Sequence, residues 1–318
     1  MDNFKITKPE DVLDKLKEYR NNYNDRGKYL GWDKLHEHYS MMLGTCTDWT
    51  GFPRSGKTQV LMELLLNTSM WYGWKHLVYF PDVGNNVEII SDLLHKKTGK
   101  TFNPTYDNVI TDEEIERELK WITDHFYVLT KTDVKGKLTP FEFWDYAVKL
   151  KKEIGLETAS IDSWKDMSHP YDKYGGYATY LEVVLPYRNQ IAEDNNLHLH
   201  TIIHPKLTEK ENGKRNPPTP YDLKGGSEWF NSGKCMITVH REDVSDNRAD
   251  IIFHKMKPRS VGNTGSMELW FDIKTLTYYE LESPQPNVFV KNYAGKKQEI
   301  LHTNLNNLQG IGFDETPF

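Results

Sequence analysis

The chain has 318 residues, with 40 Lys and Arg against 46 Asp and Glu and a formal net charge of −6. That length suffices for one large domain with its own core, and that balance excludes a protein that binds nucleic acid by being basic all over. Two cysteines, Cys46 and Cys235, cannot make a disulfide framework and fit a reducing compartment. With no long apolar run and no apolar signal core at the N-terminus, the chain is expected to be soluble and cytoplasmic, with no membrane partner.

In chain order, residues 9–22 read as an amphipathic helix, with Thr7 and Glu10 as a capping box and Val12, Leu13, Leu16 and Tyr19 on one apolar stripe. Residues 21–28 are polar and read as a linker. From Gly31 onward short apolar runs alternate with helical patterns. Strands are expected at 45–50, 75–80, 125–129, 157–162, 197–203, 235–240, 250–256 and 267–272. Helices are expected near 57–72, 86–97, 111–123, 140–154 and 178–195, with capping boxes Thr111/Glu114 and Thr139/Glu142 at two starts. Strands separated by helices imply crossover units and a mostly parallel sheet. The last strands follow one another without helices, so the sheet should end antiparallel. Residues 206–226 form a long polar loop rich in Pro and Gly, the kind that carries function. Beyond Ser283 the periodicity fades. Three regions follow: 1–28 as a linker or oligomerisation helix, 29–283 as an α/β nucleotide-binding domain, and 284–318 as a tail.

Gly51-Phe52-Pro53-Arg54-Ser55-Gly56-Lys57-Thr58 is a complete G-x-x-x-x-G-K-T. In such a loop the glycines turn backbone N–H groups onto phosphate oxygens, the lysine reaches the β- and γ-phosphates, and the threonine hydroxyl binds Mg²⁺. A strand-like run precedes it and a helix-like run follows, whose N-terminal dipole adds to phosphate binding. The cofactors expected are therefore ATP and Mg²⁺. The metal needs a second carboxylate, and Ala159-Ser160-Ile161-Asp162 is an apolar strand ending in one. Thr58 and Asp162 are the expected metal residues.

Further segments keep a specific order: Gly31-Trp32-Asp33-Lys34-Leu35, the phosphate loop, Gly73-Trp74-Lys75 leading to Tyr79-Phe80-Pro81-Asp82, Ile161-Asp162, Ile202-Ile203-His204-Pro205-Lys206, Pro217 through Ser227, Val239-His240-Arg241, and His254-Lys255-Met256-Lys257 with Gly262 and Gly265. On these the chain resembles the RecA-like replicative DNA helicases of superfamily 4, most of all the Twinkle-type and phage primase–helicases, and more distantly the DnaB-like ones. The resemblance runs from Gly31 to Leu281. It implies a RecA-like P-loop NTPase that moves on single-stranded DNA, 5′→3′, as a homo-hexameric ring.

Carried over by position, the resemblance implies that Asp82 stands where a catalytic glutamate polarises water, one methylene short. His204 stands at the γ-phosphate sensor, although a strand-end His also serves structure alone. Arg241 corresponds to an arginine finger reaching a neighbour's nucleotide, and Lys255 with Lys257 to a Lys-x-Arg pair acting in trans, the second Lys lacking the bidentate fork. Two DNA loops are implied, 165–177 and 206–224, the second carrying Lys206, Lys210, Lys214, Arg215 and Lys224. The tryptophans Trp49, Trp71 and Trp164 read as core. The helix at 9–22 corresponds to a linker helix docking on the adjacent subunit, packing on its own domain being the alternative. No stretch reads as a primase, so a separate primase, or a polymerase, is an expected partner. The terminal Gly-Phe-Asp-Glu-Thr-Pro-Phe, ending at Phe318, resembles the hook of single-stranded-DNA-binding proteins, a frayed end being the alternative.

Two other functions stay open. One is a recombinase or loader that binds nucleotide and DNA but turns over little because of Asp82. The other is an inactive scaffold acting through its tail. The net charge does not decide among them, because it is local: residues 107–118 hold six acids against Arg117 alone, at a helix start where negative charge suits the dipole.

Overall fold

The computed structural model describes residues 8–21, 27–134, 136–207, 215–243 and 247–280. The elements in chain order are α1 (Leu13–Asn21), α2 (Asp33–His38), β1 (Thr45–Thr50), α3 (Lys57–Tyr72), β2 (His76–Tyr79), α4 (Asn86–Thr98), α5 (Asp112–His125), β3 (Phe126–Leu129), α6 (Pro140–Ile154), β4 (Thr158–Asp162), α7 (Tyr177–Asn195), β5 (His198–Ile203), α8 (Gly226–Ser232), β6 (Cys235–His240), β7 (Arg248–Lys255), β8 (Gly265–Asp272) and β9 (Thr277–Glu280). The strands form one sheet in the order β3-β2-β4-β5-β1-β6-β7-β8-β9. From β3 to β6 neighbours are parallel, and from β6 to β9 they are antiparallel, as the loss of intervening helices predicts.

The helices start where local chemistry starts them. Thr111 and Glu114 satisfy each other's backbone N–H groups at α5, and Thr139 and Glu142 do so at α6. Asn85 with Glu88 is a third box, at α4, with Asn rather than Ser or Thr as the cap. The first helix differs from expectation: residues 9–12 form a 3-10 turn, and the Lys8 N–H donates to the Asp11 carboxylate at 3.3 Å. Thr7 lies outside the described residues. The sequence did not reveal α2, α8 or β9. All three are short, and α8 opens on glycines, which signal a turn rather than a helix.

Alternate residues of each strand feed two cores. Val78 and Phe80, with Trp49, Ile202, Ile237 and Val239, pack under α3 and α4, whereas Leu77 and Tyr79, with Ala159, Ile161 and Leu199, pack under α6 and α7. Trp49 and Trp164 are core residues as expected. Trp71 is half-buried and stacks on Tyr29, ring centres 4.9 Å apart. Inside the second core Arg188 of α7 meets Asp48 of β1 through two guanidinium nitrogens, with a further bond to Thr201 at 3.0 Å. Both members of this pair are fully buried, so it ties α7 to the strand that carries the phosphate loop. Leu13, Leu16 and Tyr19 of α1 are 55%, 55% and 64% exposed, and no residue of α1 is buried.

A candidate nucleotide site and the loops beside it

β1 lies in the middle of the sheet between β5 and β6, and its C-terminal end opens into residues 51–56. In an open α/β sheet, ligands bind in the crevice beyond the carboxyl ends of the strands. Here β1, β4 and β5 end side by side, with Thr50 level with Ile203 and Asp162 level with Ile202. That alignment brings the phosphate loop, Asp162 and His204 together. Two glycines are obligatory. Gly51 has φ 151° and a Cβ there would lie 2.1 Å from the Val239 carbonyl; Gly56 has φ 95° and a Cβ would lie 2.4 Å from the Tyr278 hydroxyl.

The cavity holds about 580 Å³ and is lined by Pro53, Arg54, Gly56, Lys57, Thr58, Asp82, Asp162, Lys165, His204, Arg241 and Tyr278, among others. The Lys57 ammonium donates to the carbonyls of Gly51 at 2.9 Å and Phe52 at 3.0 Å. Burial pulls its pKa down to about 8 despite Asp162 and Asp82 nearby, so the site is poised for an anion that would restore the charge. The Thr58 hydroxyl donates to the Asp162 carboxylate. Burial pushes Asp162 up to about 6, against the Thr58 bond and the Lys57 charge. The buried Ser55 hydroxyl finds no partner among the described residues, as suits a loop that wraps phosphate oxygens. A hydroxyl and a carboxylate in contact, with Asp82 close by, form the hard oxygen set that Mg²⁺ takes. One ligand atom each of Asp82, Asp162 and His204 lies within 4.8 Å of the others. His204 is a poorer partner for such a cation.

His204 Nε2 is 3.6 Å from the Asp82 carboxylate. Burial, then the Lys57 charge, lower the imidazole to about 4, so near neutral pH this is a contact of a neutral ring and not an ion pair. Asp82 is held instead by Lys165, whose ammonium is 2.7 Å from its carboxylate. In the sequence Lys165 is only the first residue of a loop; it lies 83 residues beyond Asp82, and nothing in the local pattern pairs them.

Arg241 lines the cavity of its own chain. It does so because β6 runs parallel beside β1, with Thr238 level with Thr50, and the residue after β6 arrives next to the loop after β1. Lys255 and Lys257 lie elsewhere. β7 is antiparallel to β6, so Lys255 pairs with Met236 at the opposite end of that strand, and its ammonium binds the carbonyls of Phe230 and Asn231 at the end of α8. Neither Lys255 nor Lys257 lines the nucleotide cavity of the same chain.

The two expected DNA loops meet. Lys224 lies over the rings of Tyr177 at 4.5 Å and Tyr171 at 5.7 Å. The base of the second loop is pinched by the bridge between Pro205 and Leu223 and by the Lys206 N–H donating to the Asp222 carbonyl at 2.9 Å. Lys206 is exposed, and the Arg215 guanidinium sits 5.6 Å over the ring of Phe52 in the phosphate loop. Lys210 and Lys214 lie outside the described residues, as do residues 281–318 with Phe318. No helix among the described residues is long and apolar enough to cross a membrane.

No protein-family model matches the chain. It is 24% identical over 284 residues to the Twinkle homolog protein, chloroplastic/mitochondrial, of Arabidopsis thaliana, a match covering 85% of this chain and 39% of that protein. The chain thus spans about two fifths of the length of that relative. Its fold is similar to that of an ATPase domain solved on its own, with a TM-score of 0.71, 14% identity, and 87% of this chain and 100% of that one covered. It is also similar to a DnaB-like replicative helicase solved for its interactions with primase, with a TM-score of 0.64, 14% identity, and coverage of 87% and 68%.

Proposed function

We propose, from the premise that the chain is a RecA-like ATPase domain related to the replicative helicases of superfamily 4, that it hydrolyses ATP to move along single-stranded DNA, 5′→3′, as a homo-hexameric ring. One observation carries the reading. A complete phosphate loop, the half-buried Thr58 hydroxyl bonded to the buried Asp162 and a second carboxylate, Asp82, share one cavity, and the loops that follow β4 and β5 directly from this cavity carry exposed lysines.

The chain's residues divide the work. Backbone N–H groups of residues 54–58 and the Lys57 ammonium hold the phosphates. Thr58 and Asp162 would hold Mg²⁺, which would supply neutralisation of phosphate charge there. Asp82 accepts the proton of the attacking water, and neutral His204 beside it senses the γ-phosphate by hydrogen bonding. Arg241, in the same cavity, stabilises charge on the transferred phosphoryl group. Lys255 and Lys257, facing away from their own cavity, serve a neighbour's. Lys206 and Lys224, with Lys210, Lys214 and Arg215, face the strand. The exposed stripe of α1 docks on the next copy. The tail ending at Phe318 recruits a primase, a polymerase or another replication protein.

The test is ATP hydrolysis with and without a single-stranded oligonucleotide. Stimulation by the strand is expected, with loss of turnover in Lys57→Ala. ATP turnover that ignores both the strand and the substitution would refute the reading. The recombinase or loader remains the second reading, because Asp82 is shorter than the usual glutamate. A large gain of turnover in Asp82→Glu supports a weakened motor.

A further inference from the structure

Beyond the nucleotide cavity lies a second one of about 540 Å³, between residues after β3 (Lys131, Val134 and 136–138) and the loop after β4 (residues 165–171). Its wall presents the side chains of Lys131, Lys137, Lys165 and His169, and Asp166 is the single carboxylate residue among those lining it. Lys165 lines both cavities. Its ammonium binds Asp82 at 2.7 Å on one side and Asp166 at 2.9 Å on the other, and Asp166 also takes Lys131 at 3.3 Å. The lysines are about half exposed, 54% for Lys165 and 58% for Lys131. Ion pairs this exposed are weak and readily exchanged.

An ammonium has three donors and no fixed fork. A phosphodiester entering the second cavity meets three lysines in its lining, Lys131, Lys137 and Lys165. Lys165 is the one of the three that is also bound to the carboxylate that must face the attacking water. While the pair is made, the ammonium occupies a carboxylate oxygen of Asp82 that would otherwise be open to the attacking water. The Lys165 ammonium responds to the same partners: burial opposes its charge, but Asp82 and Asp166 together raise its pKa above the ordinary value.

We propose that the second cavity is a phosphate subsite for single-stranded nucleic acid, and that Lys165 is a positioning residue which restrains Asp82 until a strand phosphate in that cavity draws its ammonium away. The inference rests on reading the chain as a DNA-dependent ATPase, and it names the contact through which DNA raises turnover. No bond forms or breaks in the exchange. One carboxylate partner of the ammonium is replaced by a phosphate oxygen.

The experiment compares wild type, Lys165→Met, Lys165→Arg and Lys131→Met. It measures steady-state ATP hydrolysis with and without an oligothymidylate, and anisotropy of the labelled oligonucleotide without nucleotide. In Lys165→Met, kcat without DNA should rise severalfold at unchanged KM for ATP. Its stimulation ratio should fall towards one, and oligonucleotide binding should weaken. Lys165→Arg, which keeps the charge, should keep most of the stimulation. Lys131→Met, which removes no direct partner of Asp82, should weaken oligonucleotide binding and raise the DNA concentration for half-maximal stimulation. If wild type is stimulated and Lys165→Met keeps the same ratio, or if its DNA-free kcat falls, the restraint is wrong although the ATPase reading survives. Unchanged oligonucleotide binding in both methionine variants removes the subsite. A wild type with no stimulation overturns the functional reading and this inference together.

Discussion

In the proposed chemistry Asp82 accepts the proton of the attacking water. Its carboxylate lies among Lys165, His204 and the Ser163 hydroxyl, the last at 3.5 Å, and its backbone N–H meets the Asp162 carbonyl at 3.4 Å, so it is fixed beside the metal residues. General-base catalysis contributes typically about 10²–10⁴ in rate. Asp82→Ala is therefore expected to lower kcat by about 10²-fold or more while ATP affinity, carried by residues 51–58, changes little. Rapid-quench turnover and equilibrium nucleotide binding separate the two. Equal loss in both would move Asp82 from chemistry to binding. Among single residues much was legible from sequence. Gly51–Thr58 and Asp162 announce themselves because each needs a fixed residue type at a fixed spacing along a strand. Lys165 at Asp82, Tyr278 over Gly56 and Arg241 in its own chain's cavity were hidden, because each contact is made by strand order in the sheet and leaves no local pattern.

Elements show the same division. Five helices and eight strands were readable to within a few residues, since caps and alternation are local; α2, α8 and β9 were not, being one or two turns of helix or four residues of edge strand. The element with the clearest functional consequence is α1. Its stripe of Leu13, Leu16 and Tyr19 remains exposed on the chain, and exposed apolar side chains in register on one helix face mark a binding surface. In the proposed ring, this stripe is covered by the neighbouring copy. Leu16→Asp should therefore shift the protein to smaller species in sedimentation velocity, while the urea midpoint of the dilute chain stays the same because no residue of α1 is buried. An unchanged size distribution contradicts the docking.

Across the whole molecule, the acidic balance turns out to be local in structure as well as in sequence. At α5, Glu118 is bound by Lys97 and Arg117, and Glu114 by Lys100 at 2.6 Å, so α4 and the turn after it answer two of the six acids. Of the lysines at the C-terminal side of β3 and β4, Lys165 lines the nucleotide cavity and, with Lys131 and Lys137, the cavity beside it, while Lys206 after β5 is exposed. Repeated around a ring, a small excess per copy becomes a strong field in the channel, with binding that weakens steeply with salt. What remains to be measured is whether ATP hydrolysis on this fold drives movement along a strand. Strand displacement from forked duplexes carrying a single 5′ or a single 3′ tail decides it. ATP-dependent displacement is expected from the 5′-tailed fork, and none in Lys57→Ala. DNA-stimulated ATP hydrolysis with no displacement from either fork would contradict the motor, leaving a protein that binds and hydrolyses without moving.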